Sequence, residues 1–171
     1  KGYSLVEVQA PYGYVLDSTP VSFDVTEENS TQEGGITLIK VDKPNMAQKG
    51  TISVEKTGEV FFGVNVSGEE DKDVIYQPVY KVKGLAGAVY EITADEDVIT
   101  PDGTLRYHKG DVVDTVTTNE DGKAKSKELY LGKYTVVETK APNGMVINKE
   151  KHSVELTYAG QDVAVTETAT S

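Results

Sequence analysis

A chain of 171 residues, 37% apolar and with a formal net charge of −11, has room for one large domain, or for a small domain and part of another, and can bury a core. Its acidic surface repels phosphate backbones, which excludes nucleic acid as a natural partner, and no apolar run approaches the roughly 20 residues of a membrane-spanning helix. It has no cysteine and only two histidines, His108 and His152, so disulfides and thiolate metal sites are excluded and a zinc site lacks ligands.

The chain begins directly in strand-like sequence, with no signal peptide or lipidation motif, which reads as a piece of a longer protein. Val, Thr, Ile and Tyr dominate short segments that Gly, Asp, Asn and Pro interrupt about every ten residues. That pattern predicts an all-β sandwich or barrel. Strands are predicted at 3–8, 21–25, 36–41, 52–56 and 60–66, then at 79–82, 88–94, 105–108, 112–117, 134–139, 152–157 and 163–168. Between them, Pro101-Asp102-Gly103, Asn119-Glu120-Asp121-Gly122 and Ala159-Gly160 supply turn chemistry.

An internal repeat organises the chain. The run from Tyr3 to Leu16, YSLVEVQAPYGYVL, recurs from Tyr134 to Ile147 as YTVVETKAPNGMVI, and each copy is followed by another alternating strand. Two tandem domains explain this, with residues 1–46 the C-terminal part of one and 47–171 nearly all of the next. The boundary falls at 43–50, where Asp42-Lys43-Pro44-Asn45 interrupts the strand pattern.

Within the predicted strands, alternation sets Lys56 on the face of Ile52 and Val54, Glu138 on that of Tyr134 and Val136, and Glu7 on that of Tyr3 and Leu5. A buried Lys or Glu is costly unless it is paired or neutral. The alternative is that each lies at a strand end with its head group in water.

The repeated Tyr-x-[Leu/Val]-x-Glu-x-x-Ala-Pro-x-Gly resembles the E-box of Cna protein B-type domains, which occur in pilins and adhesins of Gram-positive bacteria and include a SpaA-like, prealbumin-like subgroup. Val54-Glu55-Lys56-Thr57-Gly58 is similar to the end of that family's opening strand. Leu85-Ala86-Gly87-Ala88-Val89-Tyr90-Glu91-Ile92 is similar to a following strand, and Asp121-Gly122-Lys123-Ala124 and Leu129–Tyr134 to the approach to the E-box. The likeness covers about 51–168 as one domain and 1–46 as the latter part of another. Met145, where the first copy has Tyr14, is a small departure.

This resemblance implies an immunoglobulin-like (reverse-Ig) sandwich and a spontaneous isopeptide bond between a first-strand lysine and a last-strand asparagine, assisted by the E-box glutamate. The chemistry is coherent. Burial favours a neutral amine nucleophile and a protonated carboxyl that polarises the amide, and a rigid core supplies effective molarity. By analogy with a disulfide over a similar span, the bond is worth about 4–5 kcal/mol. On this resemblance Lys56 maps to the nucleophile, Glu138 and Glu7 to the helpers, and Asn45 to the last-strand asparagine of the first domain. Lysine for the first domain and asparagine for the second are expected outside the chain, so neither set is complete within it.

Other motifs carry less. The acidic run from Gly68 to Asp73 lacks calcium-loop spacing, Asn29 and Asn65 sit in glycosylation-like triplets, and neither histidine has a nucleophile motif nearby. No cofactor is expected. The expected role is a non-enzymatic stalk module of a cell-surface adhesin or pilin-like protein, outside the cell and anchored to the wall through a region beyond this segment. Neighbouring repeats are its expected partners. The competing expectation is a ligand-binding domain whose segment 60–82 meets a host matrix protein or a glycan.

Overall fold

The computed structural model describes residues 2–69 and 72–170. Glu70 and Asp71, within the acidic run singled out above, lie outside the described residues. The described chain is all strand, turn and loop. In chain order the first strands are β1 (Gly2–Leu5), β2 (Tyr14–Val15), β3 (Val21–Asp24), β4 (Ser30–Glu33), β5 (Ile36–Ile39) and β6 (Met46–Ala47). Next come β7 (Lys49–Glu55), β8 (Thr57–Ser67), β9 (Ile75–Gly84), β10 (Val89–Ala94), β11 (Val98–Ile99) and β12 (Leu105–Tyr107). The last are β13 (Val112–Thr117), β14 (Lys123–Lys125), β15 (Leu129–Tyr130), β16 (Gly132–Lys140), β17 (Lys151–Leu156) and β18 (Val165–Ala169).

All twelve predicted strands are present, 112–117 with its predicted bounds and the others with shifted ends, and six short ones join them. Among the described residues the first six strands pair only among themselves, as β1–β3, β2–β6 and β4–β5. From β7 onward the chain builds a sandwich. One sheet has the order β13-β10-β16-β17, and the other has β14 and β15 on one edge of β7 with β18 parallel on the opposite edge. Strand alternation turns Ile52 and Val54 of β7 toward Tyr90 and Ile92 of β10, Tyr134 and Val136 of β16, and Val154 and Leu156 of β17. These side chains form the buried core, with Val113, Val116 and Leu129.

Alternation does not bury the same face in the N-terminal part. Tyr3 and Leu5 were expected to point inward, yet they are 50% and 43% exposed. Among the described residues β1 and β3 pair only with each other, and Tyr3 stacks on Phe23 across that pair with half its surface left in solvent.

The N-terminal part meets the sandwich around Gln48 and the turn after β17. Gln48, 1% exposed, donates through Nε2 to the carbonyls of Gly160 and Val163 and accepts from the Ala159 N–H, while its own N–H donates to Gly13. Its amide is thereby fully paired, as burial demands. Gln161 reaches back to the Ala10 N–H and Tyr158 to the Tyr14 carbonyl, so the first Ala-Pro-x-Gly loop is clasped to the turn after β17.

Candidate functional site

Lys56 sits between β7 and β8, where the chain leaves the sandwich. Its N–H donates to the Gly122 carbonyl (2.7 Å) and its carbonyl accepts from the Leu85 N–H (2.9 Å). Gly122 adopts a φ of +77°, and a Cβ there or on Gly84 would collide with neighbouring backbone. The two glycines let the three chain segments close up, which fixes where the lysine stem begins.

From that anchor the Lys56 side chain, 18% exposed, runs inward to Glu138, whose side chain is 2% exposed. The Nζ to Oε1 separation is 3.5 Å. Oε1 is buried and makes no hydrogen bond, so the pair is held by charge alone on that side. The other oxygen, Oε2, accepts from the Asn148 N–H at 2.6 Å. Glu138 stands on β16 opposite Tyr90 of β10. Burial first, and then the Glu138 charge, push the Tyr90 hydroxyl above its ordinary pKa. The side chain of Met145 lies near Gly58, just past Lys56.

In the first copy, Glu7 is half-buried and accepts through Oε2 from Asn45 Nδ2 (2.7 Å) and from the Asp17 N–H (3.0 Å). Asn45 lies directly before β6 and also donates to the Val15 carbonyl. The structure therefore brings Lys56 to Glu138 and Asn45 to Glu7. It puts none of these four head groups fully in water. Asp17 and Asn148 were not singled out from sequence, yet each lies ten residues past its E-box glutamate and donates the same backbone bond. Extending the repeat alignment a few residues would have found them.

The parallel pairing of β18 with β7 runs from Val165 beside Lys49 to Ala169 beside Ser53, and Thr170 donates to the Ser53 carbonyl. Thr166, Thr168 and Thr170 are the half-buried, inward positions. The described pairing ends at Ser53, three residues before Lys56. An open groove lined by Val54, Glu55, Asn119, Lys123 and Thr170 lies beside the end of β18. Among the described residues no group of three or more His, Asp or Glu side chains could hold a metal ion.

Residues 78–170 match the SpaA family, described as a prealbumin-like fold domain. The chain belongs to that family. The match takes in Glu138 and leaves Lys56 upstream of it. Among curated proteins no sequence match is found. Among solved structures, this SpaA-type chain is similar to the Bacillus anthracis TIE protein, at 25% identity and a TM-score of 0.51. The likeness covers 99% of this chain and 24% of that one, so the chain spans about a quarter of the TIE protein's length. The T6 backbone pilin of serotype M6 Streptococcus pyogenes is similar at 23% identity and a TM-score of 0.33, over 71% of this chain and 20% of that one. The group B streptococcus pilus 2b backbone protein is similar at 17% identity and a TM-score of 0.39, over 82% of this chain and 50% of that one.

Proposed function

We propose that this chain is a structural stalk segment of a bacterial cell-surface protein, made of two tandem SpaA-type units, 1–46 being the latter part of one and 47–171 most of the next. The observation that carries this reading is the inward-facing Lys56–Glu138 pair at 3.5 Å, in which Glu138 is the one buried charged side chain among the described residues. Keeping the Glu138 Oε1 buried without a hydrogen bond is costly, which supports a pair placed there for reaction. In the parent protein, the Lys56 amine attacks the side-chain carbonyl of an asparagine on the continuation of β18. The C–N amide forms, ammonia leaves, and the Glu138 carboxyl polarises the carbonyl and relays the proton. Support for the acceptor's place comes from the β18 register, which heads for the level of Lys56. In the first unit, Glu7 and Asn45 would play helper and acceptor toward a lysine upstream.

The segment is on this reading non-enzymatic beyond its own cross-linking, displayed outside the cell and joined to neighbouring repeats. Supporting the joint are the hydrogen bonds that tie Ala10, Gly13, Tyr14 and Leu16 of the first unit to Gln48, Tyr158 and Gln161 of the following sandwich. Intact mass of a chain extended at both ends tests the proposal. Loss of about 17 Da, one ammonia, for each completed unit is expected, and Lys56→Ala or Glu138→Ala should restore the mass in the second unit. An unchanged mass in the extended chain overturns it.

A further inference from the structure

Between Lys56 and Leu85 the chain makes an excursion that the stalk reading does not use. β8 and β9 form a two-stranded ribbon, in register from Thr57 beside Gly84 to Ser67 beside Ile75. Among the described residues no other strand pairs with either of them. A bulge at Phe62 keeps the alternation in step, with Phe61 opposite Tyr80 before it and Val64 opposite Pro78 after it. One face consequently carries Phe61, Val64, Val66, Tyr76, Tyr80 and Val82, each 47–68% exposed. Phe61 and Tyr80 meet edge to face at 6.1 Å on that side. The other face is mixed, with Asn65 and Gln77 paired across it, Lys81 set over the Phe62 ring, and Val60, Val79 and Ile75 between these polar groups.

A two-stranded ribbon is marginal in water by itself, so this one calls for a cover over its apolar face. The six side chains present about 600 Å², at the top of what a monomer exposes in one patch and near the share each partner gives to a standard interface. Charge is kept off the face, where Glu59 at its base is the one carboxylate or basic residue among the paired positions. In a chain of net charge −11, such a face is where two copies meet with least repulsion. Its profile is also self-complementary. An aromatic pair stands at one end, Val64 and Pro78 make a low centre, and Val66 with Tyr76 makes the other end. A two-fold axis through the centre sets each ring pair over the opposite end of the other ribbon.

We propose that the β8–β9 ribbon packs face to face with the same ribbon of a second copy of this chain, in a two-fold dimer. The pairing goes beyond the cross-linking chemistry and does not depend on it. The whole chain, measured by light scattering across micromolar to millimolar concentration, should shift to twice its mass, and Phe61→Lys or Tyr76→Lys should return it to a monomer with the sandwich's unfolding unchanged. Because the chain lacks cysteine, Val64→Cys near the axis should oxidise to a linked dimer at least tenfold faster than Asn65→Cys on the other face. A monomer at every concentration overturns the proposal. So does a dimer that survives both lysine substitutions, or equal cross-linking at 64 and 65. A monomer whose ribbon gains protease protection only on adding a matrix protein or a glycan overturns it in favour of a foreign ligand.

Discussion

The two E-box copies share a motif and differ in what covers it. In β16, Tyr134 and Val136 are wholly buried beneath β7, and the same alternation carries Glu138 inward to Lys56. In β1, Tyr3 and Leu5 stand half in solvent, and Glu7 is held by Asn45 and by the backbone of Asp17. Sequence alternation sets a direction, while only an opposing sheet turns that direction into burial. The glutamate's local hydrogen bond to the residue ten positions on survives in both copies because it needs no second sheet.

The largest test of this contrast is to remove the leading tyrosine of each copy. Tyr134→Ala should cost about 3–5 kcal/mol, whereas Tyr3→Ala should cost under about 1 kcal/mol, both read from urea unfolding. Equal costs would mean that the first copy is as well packed as the second. Next comes the glutamate. Glu138→Ala strands the Lys56 ammonium and the Asn148 N–H, a loss of about 3 kcal/mol, while Glu7→Ala gives up one exposed and one half-buried hydrogen bond worth about 1–2 kcal/mol together.

The smallest effect is electrostatic. Hydrogen bonding from Thr19 and from Lys43 lowers the Asp17 carboxyl to about 2. Its folded pKa lies below the unfolded value, so this contribution is fully present above about pH 4 and is lost as pH falls toward about 2. The second copy has Asn148 at the matching place, which does not titrate. NMR titration should show the Asp17 neighbourhood loosening in that acid window, and Asp17→Asn should flatten the response.

Much of the fold was legible because period-2 alternation in long Val, Ile and Tyr-rich runs reports strands directly. The six strands that escaped are too short or too polar to show a period; β4 is Ser-Thr-Gln-Glu, and β2, β6, β11 and β15 are two residues each. The pairing of Lys56 with Glu138 could be anticipated because both break an apolar face and a family resemblance linked them. Gln48 could not, since a lone glutamine in a broken stretch gives no sign that four hydrogen bonds will close around it. The ribbon shows the same limit. Strands were foreseen at 60–66 and 79–82, but alternation is silent on whether their apolar side is covered.

A double-mutant cycle between positions 56 and 138 bears most directly on the whole account. Lys56→Met, Glu138→Gln and the double variant, compared by equilibrium unfolding, should reveal a coupling of about 1 kcal/mol or more, because each single change leaves its partner uncompensated inside the sandwich. Additivity within about 0.3 kcal/mol would show that the amine and the carboxyl do not meet in solution, and would contradict the account at its base.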